Sequence, residues 1–251
     1  MQFQPIYNQP AMLIKNNEIV LVLADLHLGI EYEFSLKGVN IPSQTESVLK
    51  NVLDLCITHS VDRLILLGDV KHTVPGASSR ELSEIRYFLK KLSDNVKAID
   101  VVPGNHDGGL KRLIQPNITF HNSSGFALED FGFAHGHAWP SKDVMDCKRV
   151  FIGHNHLSVM FVGEFGKRTC EPCWLRTKLD LSKSKKRYPD ANPEMIIVPS
   201  MCRFGSGSIV NLPGVKFLGP LFHNGMIDIE NGAAYLLNGA FLGKVGDLRV
   251  I

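Results

Sequence analysis

The chain alternates short β-branched apolar runs with longer stretches whose apolar residues recur at helical spacing. EIVLVLADLH (18–27), VDRLILLGDV (61–70), KAIDVVPGNHD (97–107) and KRVFIGHNHL (148–157) read as strands, and FALEDFGFAHGHAW (126–139) as a short hairpin with a further strand. SQTESVLKNVLDLCITH (43–59) is predicted helical, with Ser43 as its cap, Glu46 three residues on, and Val48, Val52, Leu55 and Cys56 on one face. A second helix over 79–92 places Leu82, Ile85, Phe88, Leu89 and Leu92 on one side. This alternation predicts an α/β protein whose first sheet is buried by helices. After residue 195 the punctuation changes. MIIVPSMC, a Gly/Ser turn at 205–208, KFLGP, MIDIENGAAYLLN and FLGKVGDLRVI predict short strands and tight turns with no helix between them. Residues 196–251 are therefore expected to build a second sheet on the first, within a single domain spanning 1–251.

Five apolar runs end in polar clusters: Asp25-Leu26-His27, Gly68-Asp69, Gly104-Asn105-His106-Asp107, His135-Gly136-His137 and Gly153-His154-Asn155-His156. In a sheet covered by helices, chemistry collects in the crevice at the carboxyl ends of the strands. An aspartate and a histidine one residue apart at a strand end, or two such histidines, can turn toward one point. Two such pairs, with a further carboxylate, an amide and an imidazole, are too many ligands for one ion and suit two. Mixed nitrogen and oxygen donors favour manganese, iron, zinc, cobalt or nickel over calcium or a thiolate site. Two cations about 3.5–4 Å apart clamp a phosphoryl group.

The ordered set DLH (25–27), GD (68–69), GNHD (104–107), HGH (135–137) and GHNH (153–156) resembles the calcineurin-like metallophosphoesterase superfamily across residues 20–157. GDVKH (68–72) and the compact length are similar to its small archaeal and bacterial branch, which includes DNA-ligase-associated phosphoesterases. The resemblance implies a four-layer αββα sandwich of two sheets flanked by helices. It implies that Asp25, His27 and His156 hold one ion and Asn105, His135 and His154 the other, with Asp69 bridging both. Chemistry agrees, since a carboxylate has two charged oxygens with which to bridge two cations. The resemblance further implies two divalent ions, manganese first, and a catalytic His106 that contacts a phosphate oxygen and assists the leaving group. Asp107 is expected to orient His106 or a neighbouring ligand, while His72, His137 and Arg203 are candidates for contact with substrate or ligands. The expected reaction is hydrolysis of a phosphoester by a hydroxide bridging the metals, on nucleotide or nucleic-acid phosphodiesters. A phosphomonoesterase is the alternative, and a non-catalytic metal-binding interaction module the other class.

Composition changes this picture little. The 251 residues are 44% hydrophobic and 21% charged with a formal net charge of +2, which does not by itself announce a nucleic-acid binder. Charge is concentrated at Lys167–Arg187, where eight basic residues face two acidic ones; this suggests a basic insertion or lid at about 158–195 able to steer an anionic substrate. Trp139 and Trp174 are read as packing residues, with base stacking as the alternative, and His59, His121 and His223 as structural. Five cysteines fit reduced thiols, although Cys170 and Cys173 have the spacing of a zinc knuckle. A basic leader and an 18-residue apolar run are both missing from the sequence, so the expectation is a cytoplasmic protein without a membrane partner.

Overall fold

The computed structural model describes residues 2–250 except Ala77, Ile114 and Ser206. One sheet comes entirely from the first part of the chain: β1 (Gln2–Pro5), β2 (Ala11–Lys15), β3 (Ile19–Ala24), β4 (Arg63–Leu67), β5 (Ala98–Val102) and β6 (Ile118–Phe120), adjacent in that order. β1, β2 and β3 pair antiparallel, and β3 through β6 pair parallel. The crossovers carry α1 (Ile30–Leu36), α2 (Thr45–Thr58) and α3 (Ser79–Asn95). A second sheet uses β7 (Phe126–Leu128), β8 (Phe131–Ala134), β9 (Arg149–Ile152), β10 (Ser158–Val162), β11 (Arg168–Lys178), β12 (Glu194–Ile197), β13 (Ala233–Leu236) and β14 (Phe241–Lys244). Its order is β14-β13-β11-β12-β9-β8-β7, with β10 paired to β11. Short helices α4 (Lys142–Met145), α5 (Leu181–Ser184) and α6 (Pro220–His223) accompany it.

Side-chain parity builds the layers. Successive residues of a strand face opposite sides. Leu21 and Leu23 of β3 and Leu64 and Leu66 of β4 join the core under α2 and α3, where Val52, Ile85 and Phe88 meet them. Their neighbours Val20, Val22, Ile65 and Leu67 turn the other way, against Phe133, Phe151, Trp174 and Ile196 of the second sheet. In β9 and β12 the rule repeats: Val150, Ile152, Met195 and Ile197 face outward onto Val144 and Leu221 of the short helices. Helix, sheet, sheet and helix are the four layers. Among the described residues no helix is long and apolar enough to cross a membrane.

Several local expectations change. Ser43 does not cap α2: the N-cap is Gln44, and the Ser43 hydroxyl donates to Glu84 Oε2 at 2.7 Å. Leu82 is exposed, because α3 turns Ile85, Phe88, Leu89 and Leu92 inward. KFLGP does not form a strand; its proline opens α6, where a missing N–H costs nothing. Residues 158–195 supply β10, α5 and two interior strands, β11 and β12, in place of a separate lid, since Cys173, Trp174 and Leu175 are buried between neighbours. The basic run disperses accordingly: Arg176 donates to Glu194 at 2.8 Å, Lys183 pairs with Asp180 at 3.3 Å, and Arg187 lies 4.0 Å over the Trp139 ring. Cys170 is exposed and Cys173 buried on one extended strand, where residues three apart face opposite sides. Among the described residues the clusters able to hold a cation contain no cysteine.

Candidate metal centre

The polar clusters gather at one rim of the sandwich. Asp25 and His27 follow β3, Asp69 follows β4, Asn105 and His106 follow β5, His135 follows β8, and His154 and His156 follow β9. Asp25, His27, Asp69, His154 and His156 all have φ between 44° and 70°, and they are five of nine described non-glycine residues with positive φ. Side chains adopt that region reluctantly, and such strain persists where surrounding structure enforces it. Here the neighbours are backbone: Asp25 N–H donates to the Gly68 carbonyl at 3.1 Å, and His27 N–H to the Asp69 carbonyl at 2.8 Å. Two glycines permit the approach. A Cβ on Gly68 (φ 73°) would lie 2.5 Å from the His135 ring, and one on Gly104 would lie 2.1 Å from Asp69 Oδ1.

Two triads result. The ligand-type atoms of Asp25, His27 and His156 lie within 4.8 Å of one another, as do those of Asp69, His135 and His154. His27 Nε2 and His156 Nε2 approach to 3.2 Å, and Asp25 Oδ1 lies 3.6 Å from the latter. Asp69 Oδ2 stands between the triads, 3.6 Å from His27 Nε2 and 3.4 Å from His135 Nε2. His135 Nε2 also donates to Asp25 Oδ1 at 2.9 Å, and the His154 backbone N–H donates to Asp25 Oδ2 at 2.9 Å. Asn105 is exposed between Gly104 and His106 on the same loop.

Electrostatics describe a cluster in need of positive charge. Burial opposes ionisation of Asp25, yet the charge of His156 and hydrogen bonds from His135 and His156 hold it well below the usual carboxylate range. Asp69 is likewise opposed by burial but brought to about 2 by its hydrogen bond with His135. Burial pushes His27 down to about 3 and His154 to about 4, leaving neutral imidazoles with a lone pair to offer. His135 moves to about 10, because hydrogen bonds to Asp25 and Asp69 outweigh its burial. Both buried carboxylates are thus held ionised with His135 shifted toward its charged form beside them, and a cation at this place would supply that positive charge instead. The donor set fits divalent ions of the first transition row.

Other predicted residues surround these donors. His106 Nδ1 donates to the His72 carbonyl, and its backbone N–H donates to Asp69 Oδ1 at 2.9 Å. Asp107 does not contact the His106 ring. Its carboxylate accepts from the backbone N–H groups of Gly104 at 2.8 Å and Lys71 at 3.2 Å, tying together the loops after β4 and β5. His72 lies 3.1 Å from His27 Nδ1 through its own Nδ1 and reaches Glu33 Oε2 at 2.7 Å. His27, His72 and His106 also group within 4.8 Å. His137 Nδ1 lies 2.9 Å from His135 Nδ1, and burial lowers His137 to about 4. Arg203 is exposed beside cavities that border His27 and His156. Three contributors had no role assigned from the sequence. Glu33 lies on α1; Asn155 exchanges hydrogen bonds with the Leu218 backbone at 2.8 and 3.2 Å; Ser200 donates to the Asp25 carbonyl at 2.9 Å. Only Asn155, flanked by two candidate ligands, carried a local signal.

Two sheets enclosed by helices, with clustered Asp and His donors at a shared rim, make a candidate metal centre. Residues 19–195 match the family model described as calcineurin-like phosphoesterase, and the chain belongs to that family. Among solved structures it is similar to nuclease MPE from Pseudomonas putida, with a TM-score of 0.54 and 19% identity over 94% of this chain and 98% of that one. A second likeness, to Yfce, a phosphoesterase from E. coli, has a TM-score of 0.42 and 15% identity over 90% of this chain and 97% of that one. The likeness to nuclease MPE is one of fold.

Proposed function

We propose that the protein hydrolyses phosphodiesters of nucleotides or nucleic acid, with two divalent cations held by Asp25, His27, Asp69, Asn105, His135, His154 and His156. The observation that carries this reading is the Asp69 carboxylate of the second triad reaching the first as well, 3.6 Å from His27 and 3.4 Å from His135. The oxygen donors among them, Asp25, Asp69 and Asn105, suit manganese, and the four imidazoles suit iron, zinc, nickel or cobalt as alternatives. Bound as a pair, such cations polarise a phosphoryl group and lower the pKa of an attacking water. His106 supplies the protein's own contribution. Its Nδ1 is engaged by the His72 carbonyl, so Nε2 is the ring nitrogen that, when protonated, donates to a phosphoryl oxygen or to the departing oxygen. Asp107 holds the loop that presents His106, acting on backbone and not on substrate. A monoester dianion needs cationic donors around its terminal oxygens. The side chains at the triads offer imidazoles, which favours a singly charged diester. The nuclease named among the fold neighbours is in keeping with this substrate class.

Metal-stripped protein reloaded with Mn²⁺, Ni²⁺ or Co²⁺ is expected to hydrolyse bis(p-nitrophenyl) phosphate with higher kcat/KM than p-nitrophenyl phosphate. Absence of turnover with every metal between about pH 6 and 9 overturns the reading. His106→Ala is expected to lose on the order of 10²-fold or more in kcat while elemental analysis still finds two ions. Loss of an ion in that variant would instead make His106 a ligand.

A further inference from the structure

Two cavities open beside the first triad, and no donor of the second triad lines either. One of about 560 Å³ borders His156, and one of about 250 Å³ borders His27. They share a wall of Gln9, Asn51, Met201, Cys202 and Arg203. Among the described residues neither is lined by a carboxylate that would pair with a cationic ligand. The larger volume falls within the roughly 300–1,000 Å³ of pockets that take small molecules.

The wall carries a specific hydrogen-bonding pattern. Asn51 Nδ2 on α2 donates to Gln9 Oε1, on the turn between β1 and β2, at 3.3 Å. This bond engages the NH₂ of one amide and the carbonyl of the other, and leaves one amide carbonyl and one amide NH₂ of the pair outside it. Exchanging O and N in both groups leaves the same pair. A donor beside an acceptor is what the edge of a nucleobase recognises, and side-chain amides read bases in this way. Phe204, 40% exposed and edge-on to Phe34 at 5.9 Å, lines the smaller cavity and offers a ring face for stacking. Arg203 adds a guanidinium suited to a phosphate oxygen. Neutral amides, one aromatic face and one guanidinium, adjoining His27 and His156, match a nucleoside attached to a phosphate.

We infer that this cleft is a specificity subsite for one unpaired nucleoside, the part of the substrate joined to the scissile phosphate on the side of the first triad. The inference rests on the phosphodiesterase reading above and narrows it from diesters in general to those bearing an unpaired nucleoside.

The p-nitrophenyl ester of thymidine 5′-monophosphate and methyl p-nitrophenyl phosphate are both alkyl p-nitrophenyl diesters with one leaving group in common, so their kcat/KM ratio isolates the nucleoside contribution. With Mn²⁺-loaded protein the thymidine ester is expected to be favoured by about tenfold or more, the scale of one bidentate amide contact to a base. Asn51→Ala and Phe204→Ala are each expected to reduce that ratio several-fold. Alanine favours the helix that carries Asn51, so this variant is expected to fold. No preference in the unaltered protein, or equal losses on both esters in the variants, overturns the subsite. Failure of the underlying reading looks different, since neither ester would then turn over. In that event, calorimetric titration of the metal-free protein with thymidine 5′-monophosphate decides the matter. Binding that Asn51→Ala abolishes supports the subsite, and no binding by the unaltered protein overturns it.

Discussion

Gly104 shows how narrowly the rim is built. The smallest possible side chain there would lie 2.1 Å from Asp69 Oδ1, while Gly108, four residues on, has open space around it. Gly104→Ala is therefore expected to displace Asp69 and lower kcat on bis(p-nitrophenyl) phosphate on the order of 10²-fold, the cost of a misplacement near 1 Å. Gly108→Ala is expected to be silent, and equal behaviour of the two variants would refute the argument. At this scale most of the site was legible. Glycine, aspartate, asparagine and histidine recurring at strand ends are chemically conspicuous, and the triads bring Asp25, His27, Asp69, His135, His154 and His156 together. The role of Asp107 was not legible, because its partners are backbone N–H groups of Lys71 and Gly104, which any residue type would offer.

Among elements, β5 carries a buried carboxylate that belongs to neither triad. Asp100, 4% exposed, accepts from Arg63 Nη1 of β4 at 2.7 Å and lies 2.6 Å from His121 Nε2 just beyond β6. Burial raises its pKa, but the hydrogen bonds from His121 and Arg63 outweigh burial and leave it below the ordinary value. A carboxyl whose folded pKa is depressed binds its proton more readily when unfolded. Its stabilisation is complete above the unfolded value of about 3.9 and is lost as pH falls through the lower folded value. Asp100→Asn is expected to cost about 2 kcal/mol at pH 7 and to lose less stability than the unaltered protein on acidification. Urea denaturation at neutral and acid pH measures both, and parallel acid losses in the two proteins would exclude the linkage.

The elements themselves were unevenly legible. β3, β4, β5 and β9 announced themselves because each is short, apolar and bounded by polar residues. β11 did not: its first five residues are exposed in the hairpin with β10 and its later ones are interior, so no single periodicity spans it. β1 and α1 were equally silent, being short and largely exposed.

For the whole molecule, the division of labour along the chain matters most. Residues before 121 make one sheet and residues after 125 the other, and the candidate ligands come from both. Cations held between Asp25, Asp69 and the histidines of the second sheet would join the two layers, and their binding free energy would add to folding stability. At a hundredfold excess over Kd, each site adds about 2.7 kcal/mol. Thermal unfolding is expected to shift upward with Mn²⁺ and downward with chelator, and Asp69→Ala to abolish most of the shift. A Tm indifferent to metal would argue against ions at this rim.

The same arrangement makes metal content a certificate of completeness. Asp25 and His27 lie early in the chain and His156 late; Asp69 lies early and His135 and His154 late. Neither half of the polypeptide owns all three members of either of these two triads, although His27, His72 and His106 group within the early half. A prematurely ended chain, or one whose second sheet has not formed, is left with fragments of two coordination sets and no means of arming itself. Reactivity toward phosphodiesters would then switch on only as the last step of assembly, when both halves report to the same rim.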